Sequence, residues 1–176
     1  QDTLQALGDI AASWRRRFSI PVVAITGSSG KTTTKEMLSG ILGISRKVIR
    51  TEGNYNNLIG LPLTLLGMES GHDIAVVELG TNSPGEIGRL TRIADPTVGV
   101  ITNVGLAHLE GLHSLEMIRE EKGDLFRCMN ESATAVINMD DEAVAKVGRE
   151  WSGKRITYGI NEQADVMAGR IAQMGA

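Results

Sequence analysis

The sequence is poor in aromatic residues and in cysteine, and each shortage narrows the class of protein. Phe, Trp and Tyr make up 3% of the 176 residues, so the core must be built from Val, Ile, Leu, Ala and Met. An aliphatic core of this kind suits a parallel sheet that is covered by helices. The single cysteine, Cys128, excludes an intramolecular disulfide and is typical of a reducing compartment.

Long apolar runs and long runs of one charge are also missing. No apolar segment reaches the roughly 20 residues that a membrane-spanning helix needs. The formal net charge is −3, and the longest basic run is Arg15-Arg16-Arg17, which is typical of a solvated helix end. We therefore expect neither a nucleic-acid partner nor a membrane partner, and we expect a cytoplasmic protein. With 41% hydrophobic residues, the chain is long enough for one domain with a sizeable core.

A Gly-rich stretch lies between a predicted buried strand, residues 20–25, and a predicted helix. A turn in this position presents several backbone N–H groups to one point, where the helix N-terminus adds a partial positive charge. Lys31 can reach the terminal phosphates of a nucleoside triphosphate, and the hydroxyl of Thr32 can bind Mg²⁺. The residues predicted to bind the phosphates are Gly27, Ser28, Ser29, Gly30, Lys31, Thr32 and Thr33.

The spacing within this stretch departs from the general phosphate-loop motif. A G-x-x-x-x-G-K-[ST] motif would place its first glycine at Ile25, whereas the first glycine here is Gly27. The alternative is a Gly/Ser turn that only joins a strand to a helix. Such a turn does not require Lys31, because a cation is unfavourable at a helix N-terminus unless an anion is bound. We therefore predict phosphate binding.

Short apolar runs alternate with segments of helical spacing along the chain. The predicted strands are residues 20–25, 47–50, 73–80, 97–103, 133–138 and 154–159, with 165–171 as a weaker edge strand. This β-α alternation implies right-handed crossovers between parallel strands. We therefore predict an α/β fold of the P-loop type, with a doubly wound, mostly parallel sheet and helices on both faces.

Polar side chains lie at the ends of two predicted strands. Glu78 ends the strand 73–80, and His108 lies just beyond the strand 97–103. The carboxyl ends of parallel strands form the crevice where open α/β sheets bind ligands. Beside a phosphate loop, Glu78 is a natural Mg²⁺ ligand. The alternatives are a strand-end glutamate that is only solvated and a histidine that is structural or on the surface.

Lys122 lies inside the apolar stripe of a predicted helix that follows Ser114. At 100° per residue it falls on the side of the apolar residues and away from Glu116, Glu120 and Asp124. A lysine that points inward can extend along apolar surface to reach solvent. It can also bind a phosphate, or be modified chemically into an oxygen ligand. Spacing alone leaves these alternatives open.

Five motifs, in order along the chain, resemble the central ATPase domain of the Mur ligases. They are Thr-Gly-Ser-Ser-Gly-Lys-Thr at 26–32, Gly-Asn-x-Asn-Asn-x-Ile-Gly-x-Pro at 53–62, Glu-Leu-Gly at 78–80, Ala-His-Leu-Glu-Gly at 107–111 and Lys-Gly-Asp-Leu-Phe at 122–126. The resemblance covers nearly the whole chain, and the compressed spacing of the phosphate loop is that of a Mur-type loop.

The resemblance also implies a domain organisation. Residues 1–20 would be the helix that enters the domain and an interdomain linker, and residues 21–176 would be the central ATPase domain, without the helix expected to contact adenine. The N-terminal UDP-binding domain and the C-terminal domain of a full-length ligase would lie outside the chain. We therefore expect a monomer that binds Mg-ATP weakly and does not ligate by itself.

The activity that the resemblance implies is ATP-dependent formation of an amide bond in peptidoglycan precursor synthesis. ATP would phosphorylate a carboxylate of UDP-N-acetylmuramoyl-tripeptide, and the amine of D-alanyl-D-alanine would then displace phosphate. The alternatives are another Mur-type ligase, a folylpolyglutamate-type ligase or a non-catalytic nucleotide-binding module. The Ala-His-Leu-Glu-Gly stretch argues against the other ligases.

The same resemblance assigns roles to four catalytic residues, Lys31, Glu78, His108 and Lys122. Lys31 and the loop amides would hold the β- and γ-phosphates. Thr32 and Glu78 would hold one Mg²⁺, and His108 would hold a second. Lys122 matches the family's carbamylated lysine, whose negative charge and two oxygens would suit a metal better than an ammonium group.

The Asn-rich segment 51–62 contributes two further candidates. By itself it is either a turn-rich connection or a set of amide groups that line the site. By the resemblance, Asn57 would lie near the transferring phosphate, and Asn54 is a weaker candidate for the same place. Glu120-Glu121, just before Lys122, departs from the small residues that are more usual there.

Overall fold

A sheet of seven parallel strands forms the centre of the computed structural model, which describes residues 2–105, 114–169 and 171. Its strands are β1 (Val22–Thr26), β2 (Val48–Arg50), β3 (Ile74–Glu78), β4 (Val98–Ile101), β5 (Thr134–Asn138), β6 (Lys154–Gly159) and β7 (Val166–Met167). Their order in the sheet is β2-β3-β1-β4-β5-β6-β7. Because β1 lies between β3 and β4, the segments that follow these two strands flank the phosphate loop.

Six helices connect or precede these strands in the described residues. They are α1 (Thr3–Arg15), α2 (Lys31–Leu42), α3 (Gly60–Leu66), α4 (Glu86–Ala94), α5 (Leu115–Cys128) and α6 (Glu142–Glu150). Side-chain oxygens cap three of them, because Asp2, Ser114 and Asp141 accept hydrogen bonds from first-turn N–H groups. None of the described helices is long and apolar enough to cross a membrane.

The helices cover the two faces of the sheet unequally. The larger core cluster joins one face to side chains from α1, α3, α4, α5 and α6. The smaller cluster lies on the other face, where Leu38 and Leu42 of α2 pack on it. Right-handed crossovers explain the division, since the chain runs one way in the sheet from β1 to β2 and the other way afterwards. The predicted α/β class and doubly wound parallel sheet are confirmed.

Arg15 joins α1 to the amino edge of the sheet. Its side chain is buried, and its guanidinium donates to the carbonyl oxygens of Phe18 at 2.6 Å and Ala94 at 3.1 Å. It also lies 3.3 Å from the carbonyls of Ile20 and Asp95. Burial lowers the pKa of Arg15, and the charge of Asp95 opposes that shift. The expectation of a solvated helix end is therefore wrong for Arg15, while Arg16 and Arg17 are exposed.

We expect the substitution Arg15→Met to lower the free energy of unfolding by about 2–4 kcal/mol, because buried carbonyls would lose a charged donor. Arg16→Met is the matched control and should change it by less than about 0.5 kcal/mol, since Arg16 is exposed. Urea denaturation of the two variants measures the difference. Equal losses of stability would show that Arg15 does not fasten α1 in this way.

Candidate phosphate-binding and catalytic site

The Gly-rich stretch forms a tight loop between β1 and α2. Gly27 and Gly30 have backbone φ angles of 149° and 78°, and Gly30 precedes the first residue of α2. A Cβ atom on Gly27 would overlap the hydroxyl of Thr102, which follows β4. Gly27 is therefore favoured by its backbone conformation and by close packing. Gly30 is favoured by its backbone conformation alone.

The segment after β4 holds this loop in place. The N–H of Ser28 donates to the carbonyl of Asn103 at 3.0 Å, and the Ser28 hydroxyl donates to the carbonyl of Gly105 at 2.9 Å. The Asn103 side chain accepts from the N–H of Ser29 and donates to its carbonyl, both at 3.0 Å. Asn103 was not predicted as a supporting residue, and its only signal in the sequence is a polar side chain at the end of the predicted strand 97–103.

These contacts divide the predicted phosphate ligands into two groups. The N–H groups of Ser28 and Ser29 are bonded to Asn103. The N–H groups of residues 30–33 have no acceptor among the described residues and form the free first turn of α2. The second group is therefore the donor set that the structure offers to an anion.

Lys31 lies across the loop. Its ammonium group donates to the carbonyl of Gly27 at 2.8 Å, and the side chain is half-buried. Burial lowers the pKa of Lys31, and the negative charge of Glu78 opposes that shift. The loop thus brings a partly desolvated cation next to the free donors of α2, where a phosphate would be stabilised most.

Glu78 ends β3 next to the loop and is only 2% exposed. One of its carboxylate oxygens accepts from the hydroxyl of Thr32 at 2.9 Å, and the other accepts from the amide of Asn56 at 2.9 Å. Its backbone N–H donates to the hydroxyl of Thr51 at 3.0 Å. The predicted pair of Thr32 and Glu78 is therefore in direct contact, and both supply the oxygen ligands that Mg²⁺ prefers.

Lys35 supports this arrangement from inside the fold and was not predicted. It is fully buried on α2, and its ammonium group donates to the carbonyl of Thr51 at 2.8 Å. The carboxylate of Glu36 lies 2.9 Å from the same nitrogen. Because Thr51 in turn accepts from the N–H of Glu78, Lys35 fixes the segment that orients the carboxylate.

Three asparagines of the segment after β2 have different places. The side chain of Asn56 donates to the carboxylate of Glu78, and the backbone carbonyl of Asn56 accepts from the N–H of Gly80 at 2.7 Å. The Asn57 side chain instead accepts from the N–H groups of Ile59 and Gly60, just before and at the first residue of α3. Asn54 is exposed. The structure thus brings Asn56 to the site, and roles for Asn57 and Asn54 near a phosphate stay predictions.

Lys122 on α5 is 1% exposed, so the predicted inward direction is confirmed and extension to solvent is wrong. Its pKa is lowered to about 8, first by burial and then by the positive charge of Lys31, while Glu121 opposes the shift. The effect of Lys31 places the two lysines in one electrostatic environment. A lysine of this kind has a reactive neutral form at ordinary pH.

Glu121 explains the unusual pair of glutamates before Lys122. Its carboxylate is buried and accepts from the backbone N–H groups of Gly85 and Ile87 at the start of α4. A carboxylate is favourable at a helix N-terminus, so this contact binds α5 to α4. Glu120 lies on the surface and pairs with Arg119 and Arg127. Glu121 thereby fixes the backbone that carries Lys122.

The remaining predicted metal ligand, His108, lies outside the described residues. Within residues 2–105, 114–169 and 171, no three His, Cys, Asp or Glu side chains converge as a metal centre would require. Thr32 donates a hydrogen bond to Glu78. The positive charge of Lys31 helps to lower the pKa of Lys122. A Mg²⁺ ion at Glu78 would take its other ligands from phosphate and water, as this ion commonly does.

Comparisons with known proteins agree with this geometry. Residues 25–175 match the family model of the Mur ligase middle domain. The UDP-N-acetylmuramoyl-tripeptide–D-alanyl-D-alanine ligase of Synechocystis sp. is 46% identical over 167 residues, which are 94% of this chain and 37% of that protein. MurF from Acinetobacter baumannii has a TM-score of 0.92 at 38% identity, over 97% of this chain and 38% of that one.

A third relative was solved with a nucleotide. The crystal structure of MurF ligase from Thermotoga maritima in complex with ADP has a TM-score of 0.86 at 39% identity, over 94% of this chain and 38% of that one. The chain thus spans little more than a third of the length of each relative. The family indicated by the five sequence motifs is confirmed: this chain belongs to the Mur ligase family, whose middle domain its residues 25–175 match.

Proposed function

We propose that this chain is the ATP-binding and carboxylate-activating domain of a ligase that joins D-alanyl-D-alanine to UDP-N-acetylmuramoyl-tripeptide. The observation that carries the proposal is the contact of Thr32 with Glu78 beside Lys31 at the free N-terminus of α2. The relatives named for this reaction support the choice of substrates. The ligase would act in the cytoplasm, in peptidoglycan precursor and cell-wall synthesis.

The proposal includes a place for this chain in a longer protein. Residues 1–20 form the entering helix and linker, and residues 21–176 form the central ATPase domain. Separate domains hold the UDP-sugar and deliver D-alanyl-D-alanine, and the ligase works as a monomer. The small share of each relative that the chain covers supports this organisation.

The first chemical step is the transfer of the γ-phosphoryl group of ATP to a carboxylate oxygen of the tripeptide. The bond between that phosphorus and the bridging oxygen to the β-phosphate breaks, and an acyl phosphate forms. The free N–H groups of residues 30–33 and the ammonium of Lys31 hold the phosphates and offset the charge of the moving group. The amine of D-alanyl-D-alanine then attacks the acyl carbon, loses a proton and expels phosphate.

The donor set of Thr32 and Glu78 fits Mg²⁺, because a carboxylate and a hydroxyl in contact are hard oxygen ligands next to the phosphates. When bound, the ion supplies charge neutralisation for the transferred phosphoryl group. Asn56 holds the second oxygen of Glu78, and Thr51 holds its backbone. The chain therefore fixes the direction of this carboxylate in advance.

Lys122 acts in this proposal as a carbamate. Its neutral amine attacks CO₂, a nitrogen–carbon bond forms and one proton leaves. A pKa of about 8 leaves about one amine in ten neutral at pH 7, against far fewer for an ordinary lysine. The product replaces a positive charge near Lys31 by a negative one, which turns a repulsion into an attraction.

The activity itself is tested with the three-domain protein that the proposal implies. With ATP, Mg²⁺ and UDP-N-acetylmuramoyl-tripeptide, we expect ligation of D-alanyl-D-alanine and none of D-glutamate or diaminopimelate, measured by mass spectrometry of the product. The 176-residue chain alone should bind Mg-ATP without turnover. Ligation of D-glutamate in preference to D-alanyl-D-alanine would contradict the assigned substrate, and steady turnover by the chain alone would contradict the assigned domain organisation.

We expect Lys31→Ala to weaken Mg-ATP binding by about ten- to a hundredfold, because a charge-assisted contact with the phosphates is lost. Isothermal titration calorimetry measures the change. Lys154→Ala removes the same charge from an exposed position on β6 and serves as the matched control. If Lys31→Ala bound Mg-ATP with unchanged affinity, the assignment of this loop to the nucleotide site would be wrong.

Carbamate formation on Lys122 should depend on pH. Below the pKa of about 8 the group is mostly an ammonium, which cannot attack CO₂, so the carbamate should decrease as pH falls from about 8.5 to 6.5. NMR with ¹³C-labelled bicarbonate measures it. Lys122→Gln should abolish the signal and Lys154→Gln should leave it; a signal that survives in Lys122→Gln would disprove the assignment.

A further inference from the structure

A second candidate site lies between α1 and α4, apart from the phosphate loop. Residues of the two helices line an open cavity of about 650 Å³. Its lining includes Arg16, which directly follows α1, and Arg89 and Arg92 from α4. None of the loop residues lines this cavity, and neither do Glu78 and Lys122. A volume of this size is typical of sites for small molecules.

The cavity has more positive charge than its own carboxylates balance. Among the described residues, the side chains of Arg16, Arg89 and Arg92 make no ion pair. The carboxylate in the lining, Asp9, accepts a hydrogen bond from the Gln5 amide at 2.9 Å. Three arginines therefore line the cavity with one aspartate, whose carboxylate already has another partner.

One of the arginines carries a direct sign of a missing acceptor. The Nη2 atom of Arg89 is buried and has no hydrogen-bond partner among the described residues. A buried donor without an acceptor is unfavourable, and native proteins satisfy most such groups with protein atoms, water or an ion. This atom therefore shows that the packing around Arg89 leaves part of its guanidinium unsatisfied, next to two further arginines that line the cavity.

We propose that this cavity binds a compact oxyanion of two or more negative charges, with phosphate or carboxylate oxygens. Arg89 and Arg92 are three residues apart and share one face of α4, while Arg16 lies at the C-terminal end of α1. A planar guanidinium matches either kind of oxygen pair with two parallel hydrogen bonds. The bound anion would neutralise charge that no carboxylate pairs in the described residues, and it would join α1 to α4.

Occupation of the cavity has a structural consequence near the catalytic edge. Gly85 belongs to the cavity lining, and its N–H is also held by the carboxylate of Glu121. The anion would therefore stabilise the start of α4. Glu121, which precedes Lys122, is hydrogen-bonded to the same part of α4. Because the anion binds only the folded chain, it should also raise the melting temperature.

The test uses pyrophosphate and citrate as separate probes of the phosphate and carboxylate classes. Titrations are performed with the Lys31→Ala chain at constant ionic strength, so that the phosphate loop contributes little. We expect at least one probe to bind and to raise the melting temperature. Arg89→Gln should weaken that binding by about tenfold or more, whereas Arg46→Gln, which removes an exposed charge outside the cavity, should not.

Two further variants serve as controls for misfolding of Arg89→Gln and for nonspecific attraction of the anion. Arg92→Gln changes an exposed residue of the same lining and should also weaken binding severalfold. Asp9→Asn should strengthen it, since a repelling charge is removed. The proposal is overturned if neither probe binds at millimolar concentration. It is also overturned if Arg89→Gln and Arg92→Gln bind as well as Arg46→Gln.

Discussion

A carboxylate buried at the end of a strand must find hydrogen-bond donors, and the donors of Glu78 set the arrangement of this edge of the sheet. One comes from Thr32 at the start of α2, and the other comes from Asn56 after β2. Both segments are therefore held to β3 through a single side chain. The same carboxylate is the group proposed to hold Mg²⁺, so one requirement of folding also fixes the position of the proposed ligand.

Two buried lysines show different ways of placing a cation inside the domain. Lys35 keeps an ordinary set of partners, with the carbonyl of Thr51 and the carboxylate of Glu36 around its nitrogen. Lys122 lies near another cation, and burial there lowers its pKa. The first lysine stabilises the segment that carries Thr51. The second is destabilised as an ammonium, which is the property that modification by CO₂ would relieve.

The local pattern of apolar residues predicted where the strands lie in the sequence, but not which strands and side chains lie next to each other in the fold. Continuous apolar runs identified β1, β3, β4 and β5, because buried parallel strands are apolar on both sides. The order of the strands depends on the directions of the crossovers, which the local spacing of apolar residues does not encode. The hydrogen bond from Ser29 to Asn103 could therefore not be predicted from the sequence. Asn56 and Asn57 are adjacent amides in one loop, and only the loop backbone decides which of them reaches Glu78.

The support of the phosphate loop by the segment after β4 has a consequence for when this loop takes its final conformation during synthesis of the chain. Ser29 and Asn103 are separated by 74 positions, so the loop sequence emerges long before its supporting residues do. A growing chain that ends before β4 has the glycines and Lys31 but lacks the contacts that shape them. Nucleotide binding should therefore arise late and together with the pairing of β1 and β4. For a nascent chain, ATP would be a ligand of the assembled sheet and not of the loop that bears its motif.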